Sequence, residues 1–167
     1  MPMTRIEFLT DLCAFMAEAV SGMLLPVKPT KEDREPEDRA AEVYKMRLPN
    51  KKSYQDKAPY IINQIVASRD FQYPGELPEA ACTVRTIFCV YSEDEMEGAL
   101  YLLNLMERVR QPILRDQIIS DLYQIDMDEG LKDGIYTEQP APFFIGEMAS
   151  VWHIPTTERE VPNCPNL

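Results

Sequence analysis

The sequence predicts one α+β domain, in which a mixed, mostly antiparallel sheet of four to five strands is covered by an N-terminal helix and a long central helix. Three observations lead to this prediction. Two segments place apolar residues at steps of three and four, which is typical of helices. Other segments alternate their side chains between two faces, as strands do. A length of 167 residues with 45% hydrophobic content suits a single core. We expect the domain to span residues 1–155, with a charged loop or arm at about 26–59 and an extended or disordered C-terminal arm at 156–167.

The N-terminal helix has clear start and stop signals. Thr4 and Glu7 have the T-x-x-E spacing of a capping box, which satisfies the first backbone N–H groups of a helix. Gly22 and then Pro26 end the pattern. The helix should therefore run from about Arg5 to Ser21, with these apolar residues on its inner face: Ile6, Leu9, Cys13, Met16, Val20 and Met23.

The segment that follows is dense in charge and proline. Residues 26–59 contain nine Lys or Arg and seven Asp or Glu, a net charge of +2, so the rest of the chain carries −13. This composition is typical of a solvated loop, although the two blocks of opposite charge also suggest a contact across a subunit boundary. The residues able to pair as a short strand are Val43, Tyr44, Met46 and Leu48.

Three longer strands are predicted. Residues Tyr60–Ala67 are rich in β-branched side chains, and Phe143–Ile154 alternates. Cys82–Tyr91 is apolar on both faces and is therefore expected at the centre of the sheet. Between the central helix and the last strand, short strands are expected, separated by turns at the DEG sequence of residues 128–130 and the KDG sequence of residues 132–134.

The central helix follows an acidic turn. Ser92 and Glu95 have the spacing of a second capping box. The neighbouring acidic residues would interact favourably with the positive end of the helix dipole. Pro112 should break or kink the helix, leaving Ile113, Leu114, Ile118 and Ile119 for a short second segment. The apolar surface is wider than one sheet face would cover, which suggests that part of it packs on another subunit. It comprises Met96, Ala99, Leu100, Leu102, Leu103, Leu105, Met106 and Val109.

Charge and hydropathy exclude several classes of protein. A net charge of −11 and an isoelectric point near 4.6 argue against a surface that grips nucleic acid through phosphate neutralisation. No apolar run approaches the roughly 18 to 20 residues that cross a bilayer, and Glu7 lies where a secretory signal would be basic. We expect a soluble protein of the cytosol with no membrane partner.

The cysteines do not predict a disulfide or a zinc site. Cys13, Cys82, Cys89 and Cys164 show neither CxxC pairing nor clustering with histidine. Because Cys82 and Cys89 are seven residues apart in one strand, they should lie on opposite faces of the sheet. We interpret these two as reduced, small apolar side chains of the core.

Residues that carry chemistry are few. His153 is the only histidine and should be solvated or hydrogen-bonded, and the DMDEG sequence of residues 126–130 lacks the later glutamate of an EF-hand. Trp152 and the Phe143–Phe144 pair are expected in the core. One acidic turn is a candidate carboxylate pair for acid–base chemistry, but its spacing favours a plain helix start. It comprises Glu93, Asp94, Glu95 and Glu97. We therefore predict no catalytic, cofactor-binding or metal-binding residue, and a protein that is not an enzyme.

The order of short motifs resembles a known family. A PYI strand is followed by a strand ending in VYS, an acidic turn with EG, a helix with LNLMERVR, the pattern P-x-P-F-F-x-G and a last strand ending in W-x-I-P. This arrangement, over Ala58 to Pro155, is similar to the tail terminator proteins of tailed bacteriophages. The charged segment of residues 26–59 is unusually long for that family.

The resemblance implies a virion structural protein, made in the host cytoplasm and located in the phage tail or neck. It would form a homohexameric ring that caps the tail tube, ends tail elongation and contacts the neck or connector proteins, with no cofactor. DNA would pass through without specific binding, and the acidic turn of Glu93, Asp94, Glu95 and Glu97 would face the lumen. The alternatives are a head–tail adaptor or tail completion protein, and a cytosolic enzyme or ligand-binding α+β domain.

Overall fold

A computed structural model describes residues 4–49, 57–138, 141–157 and 159, and it shows an α+β fold with two helices and a strongly curled sheet. In chain order the elements are α1 (Arg5–Val20), β1 (Glu42–Lys45), β2 (Tyr60–Phe71), β3 (Glu79–Tyr91), α2 (Glu95–Asp116), β4 (Ile118–Ile119), β5 (Tyr123–Ile125), β6 (Lys132–Ile135) and β7 (Phe143–Ile154). The predicted C-terminal arm and Cys164 lie almost wholly outside the described residues.

The described part of the sheet has seven strands in the order β1-β2-β3-β7-β5-β4, with β6 also pairing with β7. Strands β1 and β2 are parallel and the other pairs are antiparallel, so the sheet is mixed and mostly antiparallel. The predicted four to five strands are too few. Strands β4, β5 and β6 are only two, three and four residues long, which is too short for a periodic signal.

Helix α1 follows its sequence signals closely. The Glu7 amide donates to Thr4 Oγ1 at 3.2 Å and the Thr4 amide donates to Glu7 Oε2 at 2.8 Å, which completes the predicted capping box. The helix ends at Val20 with Ser21 as its C-cap. Ile6 was expected on the inner face but is 72% exposed.

Helix α2 differs from its prediction at both ends. Its N-cap is Asp94, not Ser92, because Asp94 Oδ1 accepts from the amides of Met96 and Glu97 at 3.0 and 3.1 Å. The helix also continues past Pro112 to Asp116, so the separate segment expected after the proline is wrong. The last turn is retained because it buries Ile113 in the core.

Both faces of the sheet carry a hydrophobic cluster. The larger cluster lies between the helices and one face, and it includes Phe8, Phe88, Leu105, Phe144 and Trp152. The smaller cluster lies on the opposite face and comprises Leu48, Ala58, Tyr60, Ile62, Cys89, Tyr91 and Phe143. Cys82 belongs to the larger cluster, so the two cysteines of β3 lie on opposite faces, as predicted. The central position of β3 and the core positions of the predicted aromatic residues are also confirmed.

Strands β1, β2 and β6 differ from their predictions. Strand β2 reaches Phe71 rather than Ala67, with a register shift between Ile65 and Ala67. Strand β1 stops at Lys45, because Met46 adopts a left-handed backbone with φ of 67°. The expected KDG turn is wrong, since residues 132–134 pair with β7 as part of β6.

Candidate functional site: an acidic helix start, an open sheet face and an apolar helix stripe

The acidic turn predicted from the sequence is a helix start whose carboxylates have local partners. Glu93 accepts a hydrogen bond from the Tyr91 hydroxyl at 2.9 Å, and Glu97 accepts one from the Tyr101 hydroxyl at 3.0 Å. Asp94 caps α2, and Glu95 is an exposed residue of the first turn. This geometry accounts for the acidic residues as structural groups and does not pair them as an acid and a base.

The charged arm lies beside this turn. A cavity of about 380 Å³ is lined on one side by Pro26, Pro29, Arg34 and Pro36 of the arm, and on the other by Glu93, Asp94, Glu97 and Tyr101. The Lys28 ammonium lies 5.8 Å from the centroid of the Phe143 ring. The charged arm and the acidic turn therefore lie side by side within one chain.

The second surface was not predicted. Beyond the smaller hydrophobic cluster, the same sheet face continues as an open groove of about 570 Å³. Its floor consists of small or medium side chains from three neighbouring strands, namely Ala67, Ala81, Thr83 and Val151. Small side chains that alternate with core residues leave a shallow trough along the sheet. We call this surface the open-face groove.

One wall of the open-face groove comes from the extension of β2. The Arg69 guanidinium carbon lies 4.4 Å from the centroid of the Phe71 ring, a cation–π contact. The Tyr73 ring meets Phe71 nearly edge-on, with centroids 5.4 Å apart and an interplanar angle of 68°. The wall is therefore an ordered stack of two aromatic rings and a guanidinium.

The opposite wall holds the only histidine. His153 Nε2 lies 3.0 Å from Asp126 Oδ2, while Asp126 Oδ1 accepts from the amides of Asp128 and Glu129 at 2.9 and 3.1 Å. The Glu129 amide, followed by the His153 ring, holds the pKa of Asp126 below its usual value. Of the two states expected for His153, solvated or hydrogen-bonded, the structure shows the second, and the partner is a carboxylate that also fixes the 126–130 turn.

A polar cluster separates the open-face groove from the smaller hydrophobic cluster. The Glu147 carboxylate accepts hydrogen bonds from the Arg85 guanidinium and from the Tyr136 hydroxyl. The ion pair with Arg85 is the main reason why the pKa of Glu147 is lowered, and the hydrogen bond to Glu147 raises the pKa of Tyr136. These contacts tie β3, β7 and the end of β6 together across the sheet face.

The two cysteines of β3 are buried. Cys82, the cysteine of β3 nearest the groove in sequence, belongs to the core on the opposite face. Burial raises the pKa of Cys89 to about 11, which keeps that thiol protonated and unreactive. Within the described ranges, no group of three or more His, Cys, Asp or Glu is placed to hold a metal ion.

The third surface is an apolar stripe on α2. Met96, Leu100 and Leu103 are 77%, 60% and 47% exposed, although the sequence places them at helical spacing next to the core face. The face that does pack on the sheet consists of Gly98, Leu102, Leu105, Met106, Val109 and Ile113. The prediction that α2 has more apolar surface than the sheet covers is therefore confirmed.

Comparison with known proteins does not identify the chain. No protein-family model matches the sequence, and no curated protein is similar enough to be a relative. No helix in the described part of the chain is long and apolar enough to cross a membrane.

Proposed function

We propose that this chain is a structural subunit of a bacteriophage virion, a tail terminator that assembles into a homohexameric ring on the end of the tail tube. The ring ends tail elongation and then binds the neck or connector proteins on the head side. The subunit performs no catalysis and needs no cofactor. It is made in the host cytoplasm and resides in the tail and neck of the virion.

The observation that carries this proposal is the exposed stripe of Met96, Leu100 and Leu103. Three large apolar side chains on consecutive turns of one helix form a continuous patch, and patches of this kind mark protein interfaces. In the proposed ring, this patch contacts the neighbouring subunit. The resemblance of the motif order from Ala58 to Pro155 suggests the family. The exposed stripe provides a surface through which the subunits of such a ring could associate.

The acidic composition supports the passage of DNA. The chain has a net charge of −11, and the acidic turn at Glu93, Asp94, Glu95 and Glu97 is exposed. In the proposed ring this turn faces the lumen, where like charge prevents DNA from adhering to the wall.

Two alternative functions would give a different assembly or a different binding partner. A head–tail adaptor would also form a ring but would bind the portal rather than the tube. A ligand-binding α+β domain is favoured by the open-face groove and its Arg69–Phe71 stack, and it would remain a monomer that binds a small molecule.

The experiment is to measure the mass of the purified full-length chain by mass photometry, alone and with a tail tube protein from the same source. Six copies of the 19.2-kDa chain give about 115 kDa, and negative-stain images should show six-fold rings on tube ends. A monomer that ignores the tube at every concentration would contradict the proposal.

The stripe has its own test. Leu100→Glu should abolish ring formation, because it places a charge in the buried centre of the contact. Leu77→Glu is the matched control, since Leu77 is 83% exposed in the connection between β2 and β3. Equal assembly of both variants would show that the stripe is not an interface.

A further inference from the structure

The open-face groove holds charges of opposite sign that do not pair with one another. Arg69 lies on the wall formed by β2, and Asp128 and Glu129 lie on the opposite wall. Within the described ranges, the side chains of these three residues take part in no ion pair and no hydrogen bond. The lining also contains Asp126 and His153, which pair with each other at 3.0 Å. One guanidinium therefore faces two carboxylates across the groove, and all three lack a partner among the described residues.

The width of the groove keeps these charges apart. Strands β2 and β7 are separated by β3, so their backbones lie about 10 Å from each other. The Asp126 amide donates to the Val151 carbonyl at 2.7 Å, which holds the acidic wall against β7. Between the walls, Ala81 and Thr83 of β3 leave the space above that strand open. A ligand that carries both charges can fill this space and pair with both walls.

The Arg69 guanidinium is held in place while its donors stay available. It stacks on the Phe71 ring, with its carbon 4.4 Å from the ring centroid, and Tyr73 packs against the same ring. Stacking uses the flat face of a guanidinium and leaves its N–H groups, which lie in its plane, for an acceptor. A planar fork of N–H donors matches the geometry of a carboxylate. This wall therefore fits a carboxylate of the ligand.

A third carboxylate lies near the same wall. Glu79 is directly opposite Phe71 in the pairing of β2 with β3, while Arg69 is opposite Ala81 on the next outward-facing row. Glu79 is exposed, and its side chain has no ion pair within the described ranges. A guanidinium with a carboxylate beside it fits the adjoining carboxylate and ammonium groups of an α-amino acid.

The balance of charge selects among such ligands. The unpaired charges of the lining are three carboxylates, those of Glu79, Asp128 and Glu129, and one guanidinium, that of Arg69, which sum to −2. A neutral amino acid supplies one anion and one cation, and it leaves the far carboxylates without a partner. A basic amino acid supplies a second cation at the end of its side chain.

We infer that the open-face groove binds a free basic α-amino acid, arginine or lysine. Its carboxylate pairs with Arg69 and its α-ammonium pairs with Glu79, while its side-chain cation pairs across the groove with the carboxylates of Asp128 and Glu129. The six bonds between the carboxylate carbon and the guanidinium carbon of arginine span roughly 7–8 Å when extended. One hydrogen bond of about 2.9 Å at each end then bridges the two walls. The aliphatic stem packs on the small side chains of the floor, as the stems of long cationic side chains do. This site is separate from the proposed ring, because none of its residues belongs to the α2 stripe.

Isothermal titration calorimetry of the full-length chain tests the inference with L-arginine and three analogues. Agmatine lacks the α-carboxylate, Nα-acetyl-arginine lacks the α-ammonium and citrulline lacks the side-chain cation. Each should bind about tenfold more weakly than L-arginine, because each loses one charge-assisted contact. Agmatine is the sharpest comparison, since it carries more positive charge than arginine and would bind better in a groove that only attracts cations. L-arginine that does not bind, or that binds no more tightly than the analogues, would overturn the inference.

Matched variants assign the contacts one at a time. Arg69→Gln should lower arginine binding to the level of agmatine, and Asp128→Asn with Glu129→Gln should remove the preference for arginine over citrulline. Glu32→Gln with Asp33→Asn is the control, since both residues are exposed in the arm and should leave binding unchanged. An Arg69→Gln variant that still prefers arginine over agmatine would contradict the assigned orientation and overturn the inference.

The outcomes separate this site from the proposed function. Rings formed by a chain that ignores arginine would overturn the inference and leave the proposed function standing. A chain that binds arginine with the expected preferences but never forms rings would support the inference and contradict the proposed function.

Discussion

The close packing of α2 on β7 makes a specific prediction at Gly98. Gly98 is in the first turns of α2, and a Cβ built on it would lie 2.2 Å from Cε2 of the Phe144 ring. Two effects of a Gly98→Ala substitution therefore oppose each other. Alanine favours the helical backbone by about 1 kcal/mol, but the added methyl group overlaps an aromatic ring.

The packing effect should exceed the helix preference. Phe144 is only 4% exposed, so its ring has no free space into which it can move without displacing core neighbours. Overpacking of this kind typically costs about 1–3 kcal/mol, and the overlap here places the cost toward the upper end of that range. After subtraction of the helix preference, Gly98→Ala should lower the free energy of unfolding by about 1–2 kcal/mol, which corresponds to a fall in Tm of roughly 2–8 °C.

Urea unfolding followed by circular dichroism measures the change, and two further variants separate its parts. Ala99→Gly at the next, exposed position measures the helix preference alone and should cost about 1 kcal/mol. Gly98→Ala in a Phe144→Leu background removes the ring, so the alanine should then be neutral or stabilising. If Gly98→Ala is more stable than the wild type, the reasoning that Phe144 fixes this position is refuted.

Substitutions at three further positions test other contacts. Thr86→Val should cost about 1–3 kcal/mol in urea unfolding, because the buried Thr86 hydroxyl donates to Asn63 Oδ1 at 2.7 Å and its loss leaves that oxygen unpaired. Asp94→Ala should cost about 1 kcal/mol through loss of the α2 cap, whereas Asp94→Asn, which retains a capping oxygen, should change stability little. Asp126→Asn should destabilise the protein at pH 7, where the Glu129 amide and other donors hold the Asp126 pKa low in the folded state. This stabilisation is present above the unfolded pKa near about 4 and is lost as the pH falls through the lower folded pKa, so wild type and variant should converge in acid.

The elements predicted best are those whose signal is local. The capping box at Thr4, the span of α1 and the alternation of β7 depend on neighbouring residues, and the structure places them within about one residue of the prediction. The α2 cap was misassigned because Ser92 and Asp94 are both good caps two residues apart. The choice between them depends on where β3 ends, and Ser92 is 5% exposed, with its hydroxyl oxygen accepting from the Asp94 amide. A local pattern does not contain that information.

The open-face groove could not be predicted because its residues come from distant parts of the chain. Arg69, Thr83, Asp126 and His153 belong to four segments that the strand order brings together. Even the pair of Asp126 and His153 is separated by 27 positions in sequence. One signal did exist in β3, where the small residues Ala81 and Thr83 alternate with the core residues Cys82 and Val84, which suggests a face that is not filled by a second layer.

The extension of β2 beyond Ala67 connects the missed prediction with the missed site. Residues 68–70 are Ser, Arg and Asp, a polar run that argues for a loop when it is read without its partner strand. In the structure Arg69 pairs with Ala81 and Phe71 pairs with Glu79, so the run continues as a strand whose solvent-facing side stays polar. The same extension carries the Arg69–Phe71 stack that forms one wall of the open-face groove. Shortening β2 to its predicted length would remove that wall. Arg69, one of the polar residues that argued for a loop, is therefore part of this wall of the open-face groove.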